Sequence, residues 1–440
     1  MLFISLGLFS LFGLGKNKYM WVFFYSFLFC LYYMKFLFST GSNLFSGQFM
    51  SLHFDTTCFF LFYLTVWVCL FSFLPMMYSE KNTSFIFFIM ITTILLLLFS
   101  TNNMYVFFIL FELSLVPIII IITSWGSYKE RIFSAYYFLL YTMITAVPFL
   151  IVMAVITFFG FSGYLFGFLK STMIGGYNIP WYMMLAIALS FMSKLPVYGL
   201  HIWLPKAHVD APVGGSMILA GVLLKLGGYG FLRVIFIINF MPIAFFLVFL
   251  GVIGYLVTAI ICLRQVDMKI LVAYSSVNHM SLSFSGIFSY FFFGFKGSYY
   301  MFFGHGIVSP MMFFFVHFLV FRSLTRLIHG NKGFFSIYSI FMFLMFFFFV
   351  INLGVPPFMN FFGEFGVVSS LAFFNNFTIV LILYGFMMSG VYVYNFFTTI
   401  SQGKPNWGLF SKKGNMNEML LCAFSFIGIV LSSFFLDILL

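Results

Sequence analysis

Long apolar runs alternate with short polar breaks along the whole chain. The first runs lie near 2–15, 19–38, 56–78, 84–100 and 103–124. Others follow near 133–160, 181–204, 212–232, 236–263 and 270–293, and the last near 298–320, 334–374, 376–400 and 416–438. Most approach the roughly 20 apolar residues that a helix needs to cross a bilayer. The pattern predicts an all-α polytopic membrane protein of about 14 transmembrane helices. The run 334–374 exceeds one straight span, and Pro356-Pro357 interrupts it, which predicts a broken helix.

Composition narrows the class. Of 440 residues, 63% are hydrophobic and 7% charged, against roughly 25% charged in soluble domains. That excludes a soluble enzyme, and it excludes disorder as well. Phe alone counts 75. Leu, Val or Ile would match lipid equally well, so we read the Phe excess as drift among apolar codons in a T-rich genome, as in an organelle. A balanced base composition of the gene would sink that reading. The first Arg is Arg131, and Lys16 and Lys18 follow the first apolar run. Both facts argue against a mitochondrial presequence or a cleaved signal peptide. Cys30, Cys58, Cys69, Cys262 and Cys422 form no C-x-x-C pair, and no G-x-G-x-x-G or Walker A pattern occurs. No cofactor-binding or metal-binding residue is expected, and the cysteines read as buried apolar filler.

Charge placement tests the division into spans. With the loops numbered in order, odd loops hold 14 of the 20 basic residues, among them Lys129, Arg131, Lys206, Arg264, Lys269, Arg322, Arg326, Lys332 and Lys404. Even loops or nearby helix ends hold only Lys35, Lys170, Arg233 and Lys296. A wrong span count would scramble this alternation. The positive-inside rule puts odd loops on the cytoplasmic or matrix side and both termini opposite. The net charge of +11 is therefore mainly a topology signal, and a nucleic-acid partner is not expected.

Four ionisable residues fall inside spans: Glu112, Lys194, Lys225 and Glu364. On lipid faces four such charges would cost roughly 10–14 kcal/mol, so they should face the bundle interior, paired or hydrated. One reading is two structural Glu–Lys pairs. The other is a proton path, favoured by the helix breakers Pro196 and Pro205 after Lys194 and Pro356-Pro357 before Glu364. His201 and His208 follow Lys194 at successive spacings of seven, about two helical turns each. All three would share a face if the segment stayed helical. His305, between Gly304 and Gly306, reads equally as packing or relay. His53, His279, His317 and His329 receive no role. The glycines of 211–230 read as close helix packing.

The stretch SKLPVYGLHIWLPKAHVDAPVGGSMILAGVLLKLGGYG at 193–230 resembles the signature of the antiporter-like membrane subunits of respiratory complex I. FELSLVPIIIIITSWG at 111–126 and LGVPPFMNFFGE at 353–364 resemble two further segments of that family, in the expected order. The resemblance implies 14 helices with two inverted five-helix repeats and broken helices seven and twelve. Its implied division is N-terminal helices at 1–83, a first repeat at 84–235, a second at 236–400, and a C-terminal loop and helix at 401–440. It implies that Glu112 and Lys194 form a modulated pair, that Lys225 and the histidines relay, and that Glu364 leads toward the exit face. One subunit type carries Glu where its two sisters usually carry Lys, and Glu364 points to that type. Asp210 stands where that type commonly has Glu, with the charge kept.

The resemblance further implies a proton-translocating subunit in the mitochondrial inner membrane, with odd loops on the matrix side and both termini in the intermembrane space. Its partners would be the other membrane-arm subunits, sister antiporter-like subunits and lipid. NADH, FMN, iron–sulfur clusters and ubiquinone would belong to other chains. A cation/proton antiporter subunit of the bacterial multi-subunit type resembles the same motif, and a purely structural scaffold is the third class. Co-purification with an NADH-oxidising complex separates the first from the second.

Overall fold

The computed structural model describes residues 56–79, 83–101, 103–158, 180–235 and 240–404, together with 422, 425, 426 and 428–430. The runs at 2–15 and 19–38, nearly all of 401–440, and Cys30, Lys16, Lys18, Lys35, His53, Lys81 and Lys170 lie outside the described residues. In chain order the helices are α1 (Thr56–Ser79), α2 (Thr83–Ser100), α3 (Met104–Leu113), α4 (Leu115–Trp125) and α5 (Arg131–Phe158). Next come α6 (Trp181–Lys194), α7 (Trp203–Asp210), α8 (Val213–Val234), α9 (Met241–Leu263) and α10 (Met268–Phe288). The last are α11 (Phe292–Ser323), α12 (Ser339–Asn352), α13 (Met359–Phe374) and α14 (Asn376–Ser401). No β-strand occurs among the described residues.

Lipid offers backbone groups no partner, so an apolar chain satisfies them within helices. Asn103 and Asn375 start α3 and α14 by accepting from the amides of Tyr105 and Phe377, each at 3.0 Å. Every predicted run between 56 and 400 carries helix. Among the described residues six stretches are long and apolar enough to cross a membrane: Met104–Trp125, α5, α8, α9, α11 and α14.

The loops sort by parity. Ser127 donates to the Asp210 carbonyl, Lys269 to Val209, Met268 to Arg326, and Gly333 to Gln402. Five odd loops therefore meet at one end of the bundle. At the other end the Phe240 amide donates to the Tyr290 hydroxyl at 2.7 Å, and the Phe291 and Phe373 rings meet. The helices α8 and α11 are buried along nearly all their length, whereas α5 and α14 are peripheral. Ile144, Val147 and Ile151 on α5, and Val380, Leu383 and Met387 on α14, are exposed. Each set lies on one helix face, as a lipid or subunit contact requires.

The interruption expected after Lys194 in the run 181–204 is present, and the structure locates it. Helix α6 ends at Lys194, residues 195–202 are irregular, and α7 starts afresh at Trp203. The break therefore precedes Pro205. That proline sits in the first turn of α7, where a missing N–H is tolerated. The break turns at Gly199, whose φ of +101° suits a residue without Cβ. The indole of Trp203 donates to the Ser193 carbonyl at 2.9 Å, satisfying one freed acceptor at the end of α6. The second predicted break is present: α12 ends at Asn352 and α13 begins at Met359, with Pro356-Pro357 between them.

Two basic residues read as loop charges lie buried at helix ends instead. Lys269 occupies the first turn of α10, with its ammonium 3.1 Å from the Val209 carbonyl. Arg322 occupies the last turn of α11, with its guanidinium 3.3 Å from the Phe318 ring centroid. Both cover aromatic or carbonyl groups at the end of the core, which hydropathy along the chain cannot report.

Candidate functional site

Lys194 is the last residue of α6, where a cation meets the negative end of the helix dipole. Its ammonium lies 3.4 Å from Glu112 Oε1 and donates to the Phe111 carbonyl at 2.5 Å. It also sits 3.2 Å over the Phe111 ring. Two consecutive residues at the end of α3 thus clamp one lysine. The Glu112 side chain retains 16% exposure against 4% for Lys194. The pair therefore reaches from the core to the outer surface of the bundle.

Helix α8 passes directly against this break. A Cβ on Gly227 would lie 2.5 Å from the Leu195 nitrogen, so only glycine permits the approach. One turn earlier, Leu219–Leu223 winds as a π-helix, a feature often found at functional positions. Inside this wide turn the Ala220 carbonyl accepts from the Lys225 ammonium at 2.5 Å and from the Ser309 hydroxyl at 3.4 Å. Lys225 is fully buried and lies 3.0 Å from His305 Nδ1 on α11.

The row continues across the second half of the chain. The His305 and His279 rings are 5.4 Å apart, and His279 Nδ1 lies 3.3 Å from Glu364 Oε1. Lys225, His305, His279 and Glu364, from α8, α11, α10 and α13, thus form one buried succession. The Glu364 carboxylate fills the space beside Gly354, where φ is +70° and a Cβ would collide with it. The break between α12 and α13 so shapes the seat of Glu364.

His279 had no role in the sequence reading, yet it links the row. Its only advance signal was an ionisable residue deep in a hydrophobic run. His208 is fully buried, stacks on Phe313 with centroids 4.4 Å apart, and has no hydrogen-bond partner for either ring nitrogen among the described residues. It lies within electrostatic reach of both Lys225 and Lys269. His201 packs on Tyr198 and Tyr274 inside the break. The shared face that a continuous helix would give Lys194, His201 and His208 does not form, because 195–202 is not helical.

Cys58 is also more than filler. Its sulfur accepts from the Arg233 guanidinium at 2.7 Å and lies 3.2 Å from the Tyr229 hydroxyl, tying α1 to α8. Among the described residues no three His, Cys, Asp or Glu side chains gather as a metal-binding group. The geometry offers a succession of groups that hold and pass protons, with carboxylates and lysines at intervals and imidazoles between them.

Comparison with known proteins agrees with this architecture. The family model described as NADH:quinone oxidoreductase/Mrp antiporter, TM, matches residues 100–390. NADH-ubiquinone oxidoreductase chain 4 of Petromyzon marinus is 37% identical over 307 residues, covering 68% of this chain and 67% of that one. Chain 4 of Ceratitis capitata is 31% identical over 408 residues, covering 90% and 89%. A chain of respiratory complex I from Thermus thermophilus with bound NADH superposes with a TM-score of 0.85 at 22% identity, covering 98% of this chain and 94% of that one. A chain of the membrane-bound sulfane sulfur reductase, an archaeal respiratory membrane complex, superposes at 0.83 with 16% identity, covering 100% and 94%. These two likenesses establish a shared fold. On the family match and the identity to its relatives, the chain belongs to the NADH:quinone oxidoreductase/Mrp antiporter transmembrane family, among the chain 4 subunits of NADH-ubiquinone oxidoreductase.

Proposed function

We propose that protons move through this subunit along Glu112, Lys194, Lys225, His305, His279 and Glu364. A chain 4 subunit is a proton-translocating membrane component of NADH-ubiquinone oxidoreductase. The observation that carries the path is the succession from Lys225 to Glu364, with 3.0 Å between Lys225 and His305 and 3.3 Å between His279 and Glu364. Burying four ionisable groups in a row would be wasteful for packing alone, since apolar residues of similar volume are often as stable. Widening the gap between Glu112 and Lys194 weakens the hold of the carboxylate on the ammonium. Lys194 then releases its proton toward Lys225, and waters bridge the step. His208, between Lys225 and Lys269, connects the row to the end where the odd loops meet. His201 serves the break above it. Glu364 discharges toward the opposite face.

In this reading the whole chain has 14 helices, with inverted repeats at 84–235 and 236–400, N-terminal helices at 1–83 and a C-terminal loop and helix at 401–440. The odd loops face the matrix and both termini the intermembrane space. The neighbours are other membrane-arm subunits of the complex and lipid. Electron transfer from NADH through FMN and iron–sulfur clusters to ubiquinone belongs to other chains.

The test uses the intact complex in sealed vesicles. Glu112→Ala, Lys194→Ala and Lys225→Ala should each suppress NADH-driven acidification while the complex still assembles. Normal acidification in any of them removes that residue from the path. A complex that exchanges cations for protons without oxidising NADH would instead favour the antiporter reading.

A further inference from the structure

The residue before Lys194 is held from two directions. Ser193 is buried, and its hydroxyl donates to the Ser190 carbonyl at 2.8 Å within α6. The Ser193 oxygen is thereby left to accept from the Thr145 hydroxyl on α5, also at 2.8 Å. The Tyr141 and Thr142 carbonyls lie farther from that hydroxyl, each at 3.0 Å. The Ser193 carbonyl accepts from the Trp203 indole at 2.9 Å, and the Trp203 ring lies 4.7 Å from that of Phe138. Phe138 and Thr145 stand seven residues apart on α5, about two turns and so on one face. Helix α5 therefore grips Ser193 twice, once directly and once through Trp203 at the start of α7. On the far side of Lys194, the approach of α8 at Gly227 confines Leu195.

Glu112 has no such support. Its Oε2 has no hydrogen-bond partner among the described residues, and Ile109, Leu113 and Val116 beside it are exposed. The helix is interrupted at Ser114, between α3 and α4, and Pro117 offers the Leu113 carbonyl no N–H. At its start α3 is tied to α5 by the Tyr105 hydroxyl, 2.7 Å from Thr157 Oγ1, which leaves the Ser114 end to move. Toward α6, α3 presents the Phe107 and Phe111 rings to Phe191, contacts that carry no hydrogen bond. The Phe111 carbonyl and the Glu112 carboxylate, which hold the Lys194 ammonium, belong to consecutive residues of α3. A bend at Ser114 withdraws them together.

We propose that Thr145 and Ser193, with Trp203, are positioning residues that hold Lys194 in place, so that its gap to Glu112 opens by movement of Glu112 on α3. The inference rests on the assignment of that pair to the proton path and adds which partner moves. With Ser193 fixed, the Lys194 backbone cannot follow the departing carboxylate, and the ammonium stays behind in the core. With Ser193 released, Lys194 follows Glu112 and the pair stays closed.

The experiment uses the intact complex in sealed vesicles. Thr145→Val and Ser193→Ala remove the same hydrogen bond, so each should slow NADH-driven acidification about fivefold and the double variant no further. Thr145→Ser keeps the hydroxyl and should restore the rate. Thr142→Val removes a buried hydroxyl that bonds only within α5 and should leave acidification unchanged. NADH oxidation by an artificial acceptor controls for assembly throughout. Thr145→Cys/Ser193→Cys should be slowed likewise while reduced. Oxidation to the disulfide by copper phenanthroline and oxygen, verified by mass spectrometry and with the unaltered complex treated alongside, should restore the rate. Acidification that stays low or is lost in the disulfide form overturns the inference, since the Lys194 end would then have to move. Unaltered rates in Thr145→Val and Ser193→Ala, or an equal loss in Thr142→Val, also overturn it. If Lys194→Ala abolishes acidification while the Thr145 and Ser193 variants are normal, the anchor fails and the path stands. If Lys194→Ala acidifies normally, both fail.

Discussion

His279 is the most informative residue to remove, because it joins two groups that do not otherwise meet. Its ring lies 5.4 Å from that of His305 and its Nδ1 3.3 Å from Glu364. Without the imidazole, His305 and Glu364 are separated by roughly 8–9 Å, about three hydrogen-bond lengths. A proton cannot cross that gap in one step, and about two waters must fill it. His279→Leu supplies an apolar side chain of comparable volume and keeps water out. His279→Ala opens space on the order of two waters of ~30 Å³ each. Losing a positioned proton carrier typically costs about 10²-fold, or about 2.7 kcal/mol in the barrier. We therefore expect His279→Leu to reduce NADH-driven acidification and ubiquinone reduction about 100-fold, and His279→Ala to recover roughly a tenth of the normal rate through water. His279 Nε2 has no hydrogen-bond partner among the described residues, so what either variant removes is the contact of Nδ1 with the buried Glu364 carboxylate, a cost the assembly control must read. The assay follows vesicle acidification and ubiquinone reduction together, with an artificial electron acceptor as the control for assembly. Wild-type acidification in His279→Leu would refute the row.

Further substitutions probe the rest of the site. Glu112→Leu leaves the Lys194 ammonium with only the Phe111 carbonyl and ring, and should destabilise the subunit by about 3–5 kcal/mol. The double variant Glu112→Leu/Lys194→Met should recover most of that in thermal unfolding while acidification stays absent. A single variant as stable as the double would show that the pair is not coupled. Gly354→Ala keeps every charge but drives a methyl into the Glu364 carboxylate at a φ of +70°. Acidification should fall as in Glu364→Gln, and normal acidification would mean that the carboxylate position does not matter. Gly228→Ala runs into the Phe302 ring and should cost about 1–3 kcal/mol in stability, with Phe302→Leu as a second-site rescue. Failure of that rescue would place the collision elsewhere. Deleting one residue from Leu219–Leu223 should restore α-helical winding, keep the register on either side, and close the wide turn in which the Ala220 carbonyl receives Lys225. A deletion variant that still assembles and acidifies vesicles would show that the π turn does not aim Lys225.

Helix positions were legible because apolar length is a one-dimensional property, and each predicted run between 56 and 400 carries helix. The parity of the basic residues was legible for a related reason. It anticipates which loops gather at one end, and Ser127, Asp210, Met268, Arg326, Gly333 and Gln402 do gather there. Glu112, Lys194, Lys225 and Glu364 stood out because a charge in lipid demands an explanation. What sequence spacing could not give was the partner of each. The seven-residue spacing of Lys194, His201 and His208 assumed a continuous helix, and the turn at Gly199 voids it. The pairing of Lys225 with His305 spans 80 positions, and no periodicity within one helix can announce it.

The same comparison explains why the useful histidine was the overlooked one. Sequence spacing favours groups near each other along the chain, so it drew attention to His201 and His208 after Lys194. Packing favours groups on helices that cross, and the helices crossing at the centre are α8, α10, α11 and α13. Lys225 comes from α8, while His305, His279 and Glu364 come from α11, α10 and α13. The step from Lys225 to the histidines therefore occurs at the contact of α8 with α11, both deeply buried. The π turn and Gly227 belong to that contact for physical reasons. One frees the Ala220 carbonyl to receive the Lys225 ammonium, and the other lets α8 lie against the break that ends at Lys194. A rigid α-helix with ordinary side chains at these positions would hold the two lysines farther from each other and from His305. Local departures from regular helix are thus what bring these charged groups into one row.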